Sequence, residues 1–167
     1  MIKITPARHF RSTPGVTFDD ITVPGSNGLD LVIHDGPSVS PPDRYDLSTP
    51  PARIFPQWYV HTHQVDHNRV VQGSRLFELF NPAWHDKHWL VFLTPETGAL
   101  EIPAGCYHRS YSGKEGSVLI NHAIRDDEYD EATEFVPCFL SLVDQFPTNY
   151  HGINFYDAQD YIEDGEF

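Results

Sequence analysis

The chain has 167 residues, 40% of them hydrophobic, and a net charge of −13, which fits one globular domain able to bury its own core. An acid excess of this size repels phosphate backbones and excludes nucleic acid as an expected partner. No apolar run reaches membrane-spanning length and the first residues form no apolar leader, so no membrane role is expected; two cysteines without framework spacing fit a reducing, cytoplasmic setting.

Fourteen prolines and eleven glycines punctuate the chain and favour short strands over long helices. Residues 1–28 read as a broken lead-in with a strand around Phe18–Val23, and a second strand covers Leu29–His34. Residues 35–56, rich in Pro, Ser and Asp, read as one long surface loop. Trp58–Val71 is aromatic and β-branched, a strand that turns at Gly73 into another over Ser74–Phe80. Trp89–Leu93, Leu100–Ile102, Tyr107–Tyr111 and Ser117–Ile124 follow, the last two as a hairpin around residues 112–115. The acidic run 125–134 reads as a solvated turn or helix start. Short helices are predicted over Cys138–Phe146, with Phe139, Leu142, Val143 and Phe146 inward, and over Asp157–Glu163. The expected fold is all-β, a closed or sandwiched antiparallel architecture in one domain, with a core barrel over about residues 18–125 and an extension over about 126–167.

His61-Thr62-His63 lies within a predicted strand, and period two places both imidazoles on one face with Tyr59, Val65, His67, Arg69 and Val71. Buried imidazoles need partners on both nitrogens, and a metal ion is one such partner. A solvent-facing polar strand is the plain alternative. A second segment, Ile102-Pro103-Ala104-Gly105-Cys106-Tyr107-His108, turns tightly into a strand that brings His108 opposite the first. Arg69 is a candidate anchor for a substrate carboxylate or phosphate, or a salt-bridge partner, and Tyr59 a candidate to stack on a ligand. Cys106 is expected to pack inertly. Walker, dinucleotide, Cys-x-x-Cys and Gly-x-Ser-x-Gly motifs are absent, so nucleotide hydrolysis, dinucleotide redox chemistry and serine hydrolysis have no support.

His61-x-His63 followed by Gly73, then Pro103-x-Gly105-x-x-His108, resembles the two signature motifs of the cupin superfamily over residues 55–125. The resemblance implies a jelly-roll barrel. In metal-binding members two histidines and a glutamate of the first motif and a histidine of the second hold one divalent metal. Counted forward from His63, the glutamate position falls on His67; counted back from Gly73, it falls on Asp66. Strand parity selects His67 and carboxylate chemistry selects Asp66. A bulge or shorter turn is implied between the anchors. The lead expectation is a metal-dependent enzyme acting on a small anionic molecule, with His61, His63, His67 and His108 as ligands, Asp66 as the alternative to His67, and iron, nickel, zinc, copper or manganese as the ion. His61, His63, Arg69 and Tyr59 are the candidate catalytic residues.

Other stretches resemble the nucleotide-sugar 3,5-epimerases and 3,4-ketoisomerases of the same superfamily: Arg69-Val70-Val71-Gln72-Gly73 entering Leu76-Phe77-Glu78-Leu79, Leu100-Glu101-Ile102-Pro103-Ala104-Gly105, and Val118-Leu119 leading to Arg125-Asp126-Asp127-Glu128-Tyr129-Asp130. That likeness implies a metal-free enzyme with His61 or His63 as general base. It departs at Ile120 and Asn121, where the epimerases carry a tyrosine, and only 11 basic residues are available to hold a diphosphate. A non-catalytic barrel gripping a small ligand is the third expectation. Family habit further implies a homodimer.

Overall fold

The computed structural model describes residues 1–48, 50–140 and 153–157. Two sheets face each other across a barrel. The strands are β1 (Ile4–Thr5), β2 (Arg8–Thr13), β3 (Val16–Asp20), β4 (Gly28–His34), β5 (Ser38–Ser40), β6 (Arg44–Asp46), β7 (Arg53–Phe55), β8 (Tyr59–Val60), β9 (Gln64–Gly73), β10 (Arg75–Phe80), β11 (His88–Leu93), β12 (Ala99–Ile102), β13 (Tyr107–Ser112), β14 (Ser117–Arg125) and β15 (Ile153–Asp157). The first sheet runs β1-β12-β9-β14-β4; the second runs β15-β11-β10-β13-β5, with β8 also on β13. All these pairings are antiparallel except β15, which lies parallel on β11. The all-β barrel expected from strand spacing is therefore present, with one parallel edge.

Apolar residues from both sheets form the dry part of the interior: Val70, Leu100, Ile102 and Leu119 from the first, Phe77, Leu79, Val91 and Leu93 from the second. Cys106 joins them, and burial pushes its thiol up to about 12, so it packs as a small apolar group. Two hairpins stand outside the barrel sheets, β2–β3 and β6–β7. The second, together with β5, occupies the stretch expected to be one loop. Proline and serine lower strand propensity there, but β5 gains its partners from β13, which local sequence does not show. One helix is described, α1 (Glu131–Glu134), capped by Asp130, whose side chain accepts from the Ala132 N–H. The helix expected from Cys138 starts instead with an extended Cys138, bridged to Trp58. The rest of that prediction, and nearly all of the one from Asp157, lies outside the described residues.

The β9–β14 register shifts between Val118 and Leu119, a bulge that leaves Val71 as an extra residue in β9. Below it, Gly73 ends β9 at φ +73°, and a Cβ there would sit 2.6 Å from the Gly116 carbonyl oxygen. Gly73→Ala is expected to cost about 3 kcal/mol, through left-handed strain plus a clash with backbone that cannot move aside. Urea denaturation against the parent chain measures it, and a loss under about 1 kcal/mol would contradict this reading.

Candidate active site

The two strand stretches with histidines do meet. His61, Asp66 and His108 are all buried, and each offers one ligand atom within 4.8 Å of the others. His61 Nε2 lies 3.5 Å and His108 Nε2 3.8 Å from Asp66 Oδ2, and the two imidazole centroids are 4.9 Å apart. Backbone carbonyls fix both tautomers. His61 Nδ1 is 2.8 Å from the Glu134 carbonyl, and His108 Nδ1 is 3.1 Å from that of Cys106. A carbonyl only accepts, so both Nδ1 atoms carry protons and both Nε2 lone pairs face Asp66. Burial pushes His108 down to about 4, against the pull of Asp66.

Asp66 is oriented from its other side. Its Oδ1 accepts from Gln64 Nε2 at 2.6 Å and Asn121 Nδ2 at 2.8 Å. Gln64 is set in turn by Arg125, whose Nε donates to its Oε1 at 2.7 Å while Nη2 holds Asp30 at 2.7 Å. Oδ2 is thus left toward the imidazoles. The three groups open on a cavity of about 270 Å³ between the sheets, bordered also by Tyr59, Asn68, Phe77, Ser110 and Phe135. Tyr59 stacks on His61 with ring planes 14° apart.

The chain does not run straight from β8 into β9. Residues 61–63 form a bend, held by the buried Glu134 side chain: it accepts from the Thr62 N–H at 2.9 Å, the Thr62 hydroxyl at 2.8 Å and the His63 N–H at 3.2 Å. The bend offsets strand parity by one residue. Gln64, Asp66 and Asn68 therefore face the cavity, and the odd positions face away. His67 points to the other side of the first sheet, with Nδ1 donating to the His122 carbonyl at 3.2 Å and Nε2 3.6 Å from Glu101. Arg69 lies on that side near His122, and its charge helps depress that imidazole after burial. His63 is partly exposed; its Nδ1 is 3.0 Å from Asp126, which raises its pKa. So His61, His108, Asp66 and Tyr59 come together, whereas His63, His67 and Arg69 do not. The four-histidine arrangement gives way to two histidines and an aspartate. Sequence reasoning missed Gln64, Asn121 and Glu134; the alternation Gln64-x-Asp66-x-Asn68 was a legible signal for the first.

Acid weakens this interior. His108 and His34, a buried histidine of β4, are both pushed down by burial to about 4, from an ordinary 6.5. Between pH 6.5 and about 4 the unfolded chain binds protons that the folded chain refuses, so stability falls as pH falls through that window. Each imidazole contributes a slope of about 1.4 kcal/mol per pH unit. Urea midpoints at stepped pH are expected to show it, with the slope clearly reduced in His34→Phe; a flat profile across the window contradicts the burial of both.

No family model matches the chain, and no curated protein does. Solved structures do. QdtA, a sugar 3,4-ketoisomerase from Thermoanaerobacterium thermosaccharolyticum in complex with TDP, matches at TM-score 0.56 and 12% identity, over 81% of this chain and 86% of that one. The WlaRB TDP-quinovose 3,4-ketoisomerase from Campylobacter jejuni matches at 0.54 and 16%, over 80% and 91%. A dTDP sugar isomerase from Desulfovibrio desulfuricans matches at 0.52 and 13%, over 86% and 92%. Identities this low show a shared fold, the barrel these sugar isomerases have. No helix among the described residues is long and apolar enough to cross a membrane.

Proposed function

We propose that this chain is a cupin-superfamily isomerase that moves a proton between adjacent carbons of a nucleotide-linked keto-sugar. The observation that carries the reading is the convergence of the His61 Nε2, His108 Nε2 and Asp66 Oδ2 lone pairs on one point of a cavity. The likeness to sugar ketoisomerases supplies the substrate class. Ketone migration needs proton acceptors and donors placed on neighbouring atoms of the substrate. Asp66 Oδ2 takes the proton from the carbon that bears the hydroxyl. Its C–H electron pair forms the double bond of an enediol, as His61, entering this step with a proton taken up on its Nε2 lone pair, passes that proton to the ketone oxygen. Asp66, whose carboxylic proton exchanges with solvent while the enediol persists, then protonates the former carbonyl carbon, and His108 Nε2 takes the proton of the neighbouring hydroxyl, which becomes the new ketone. One proton has moved from His61 to His108, rings 4.9 Å apart, and its return resets the site. His63, on the exposed side of the bend, has no part in this scheme.

A second reading has its own support. Two neutral imidazoles and one carboxylate are the donor set of a facial metal centre, so His61, Asp66 and His108 fit a divalent ion of iron, nickel, zinc, copper or manganese. A metal bound there would supply Lewis-acid polarisation of the ketone oxygen. The test is uptake of solvent deuterium into TDP-4-keto-6-deoxyglucose, with metal analysis of untagged protein before and after chelation. Uptake that survives chelation selects proton transfer by side chains. Uptake lost on chelation and restored by one ion selects the metal centre, and no uptake under either condition sinks the keto-sugar reading.

We also propose that the chain self-associates as a homodimer through the outer face of β4, a reading supported by Leu29, Leu31 and Ile33, which stand 62–70% exposed in a row on an edge strand.

A further inference from the structure

Beyond the site of His61, Asp66 and His108, the cavity continues to Arg75, the first residue of β10. Arg75 lines the cavity yet is only 1% exposed. Its Nε donates to Ser117 Oγ at 2.8 Å, and its Nη2 donates to the carbonyls of Val32 and Ser117, both at 3.2 Å. Among the described residues its Nη1 has no acceptor and no carboxylate lies in ion-pair range; Asp30, which also borders the cavity, is held by Arg125. A buried guanidinium without a counter-charge is costly.

Beside it is a second unsatisfied donor. Arg75 can only donate to Ser117 Oγ, so the Ser117 hydroxyl is free to donate onward to Ser112 Oγ at 2.6 Å, and Ser112 to His34 Nδ1 at 2.8 Å. Along this relay both serine hydroxyl protons find an acceptor. The relay leaves His34 protonated on Nε2, and that atom is buried without a partner. At the end of the barrel away from His108, Arg75 Nη1 thus lacks an acceptor where Arg75 borders the cavity, and His34 Nε2 lacks one just behind the cavity wall.

We propose that Arg75, with His34 beside it, forms an oxyanion subsite that takes a carboxylate or phosphate group of the substrate. The chemistry of the two ends is complementary. One end offers imidazole lone pairs and a carboxylate and the other a guanidinium, so the anionic group of a molecule in the cavity is favoured at the Arg75 end. Leu79 pairs with His108 across the sheet, and Arg75 lies four residues before it on β10, or about 13 Å along the strand, less the reach of the guanidinium. A sugar ring with an acidic substituent at its far end spans that interval. The role expected of Arg69 from the sequence passes to Arg75. The claim that the anion belongs to a keto-sugar rests on the proposed isomerase reading; binding of the anion does not.

Calorimetric titration with sodium phosphate and sodium acetate at constant ionic strength, with chloride as control, tests the subsite without turnover. One oxyanion per chain is expected to bind. Arg75→Lys, which keeps the charge and loses the fork, is expected to weaken it roughly tenfold, and His34→Phe to weaken it less. Preference for acetate or phosphate identifies the substituent. Equal affinity in the parent and both variants, or no binding of either salt, overturns the proposal. If the variants do not fold, the parent decides: the Arg75 guanidinium resonances must shift on addition of the bound oxyanion and stay fixed with chloride. Deuterium uptake without oxyanion binding overturns the subsite alone, and the reverse overturns the isomerase reading alone.

Discussion

Asparagine in place of Asp66 is expected to leave the barrel folded and to lower deuterium uptake into the keto-sugar by about 10³-fold. The substitution keeps the shape and the acceptor for Gln64 and Asn121, which bond Oδ1 at 2.6 and 2.8 Å. It turns an amide N–H toward lone pairs that now face a carboxylate, so the interior gains a hydrogen bond and stability changes little. Its chemistry is lost, because an amide takes no proton from carbon. Under the metal reading the same change removes the anionic ligand and lowers metal occupancy. Activity within about tenfold of the parent, with an unchanged urea midpoint, would remove Asp66 from the mechanism on either reading.

Glu134→Ala is expected to cost about 3 kcal/mol of stability and to reduce turnover as well, although Glu134 does not border the cavity. Its carboxylate is 2% exposed and, among the described residues, is the one acceptor for the Thr62 hydroxyl and for the Thr62 and His63 N–H groups. Without it these donors are left unsatisfied, and the bend that aims His61 loosens. Glu134→Gln, which retains one acceptor oxygen, should recover part of both losses. A variant that loses stability but keeps full turnover would show that the bend is not needed to aim His61.

What could be read from the sequence divides along the same bend. Strands β9 to β14 were legible because aromatic and β-branched residues alternate between clear turns at Gly73, Gly98 and Gly105. The meeting of His61 with His108 was legible through the two motifs. Asp66 was legible as an alternative, but period-two counting from His61 selected His67. Counting assumed an unbroken strand, and the break is imposed by Glu134, a residue 71 or more positions away in an acidic run that reads as solvated. Arg75 shows the same limit: its position just after a glycine turn says nothing of the buried serines and carbonyls that it meets across the barrel.

The row of Leu29, Leu31 and Ile33 on β4 carries a consequence for how the protein behaves in concentrated solution. Each chain bears −13 charges, so two copies meeting through an aliphatic strip approach against mutual repulsion. Added electrolyte shortens the reach of that repulsion, to about 8 Å at 0.15 M, while leaving the attraction between greasy side chains intact. The pairing proposed for this strip is therefore expected to be favoured by salt and by acidification toward the isoelectric point near 5, the opposite sign from an interface built on ion pairs.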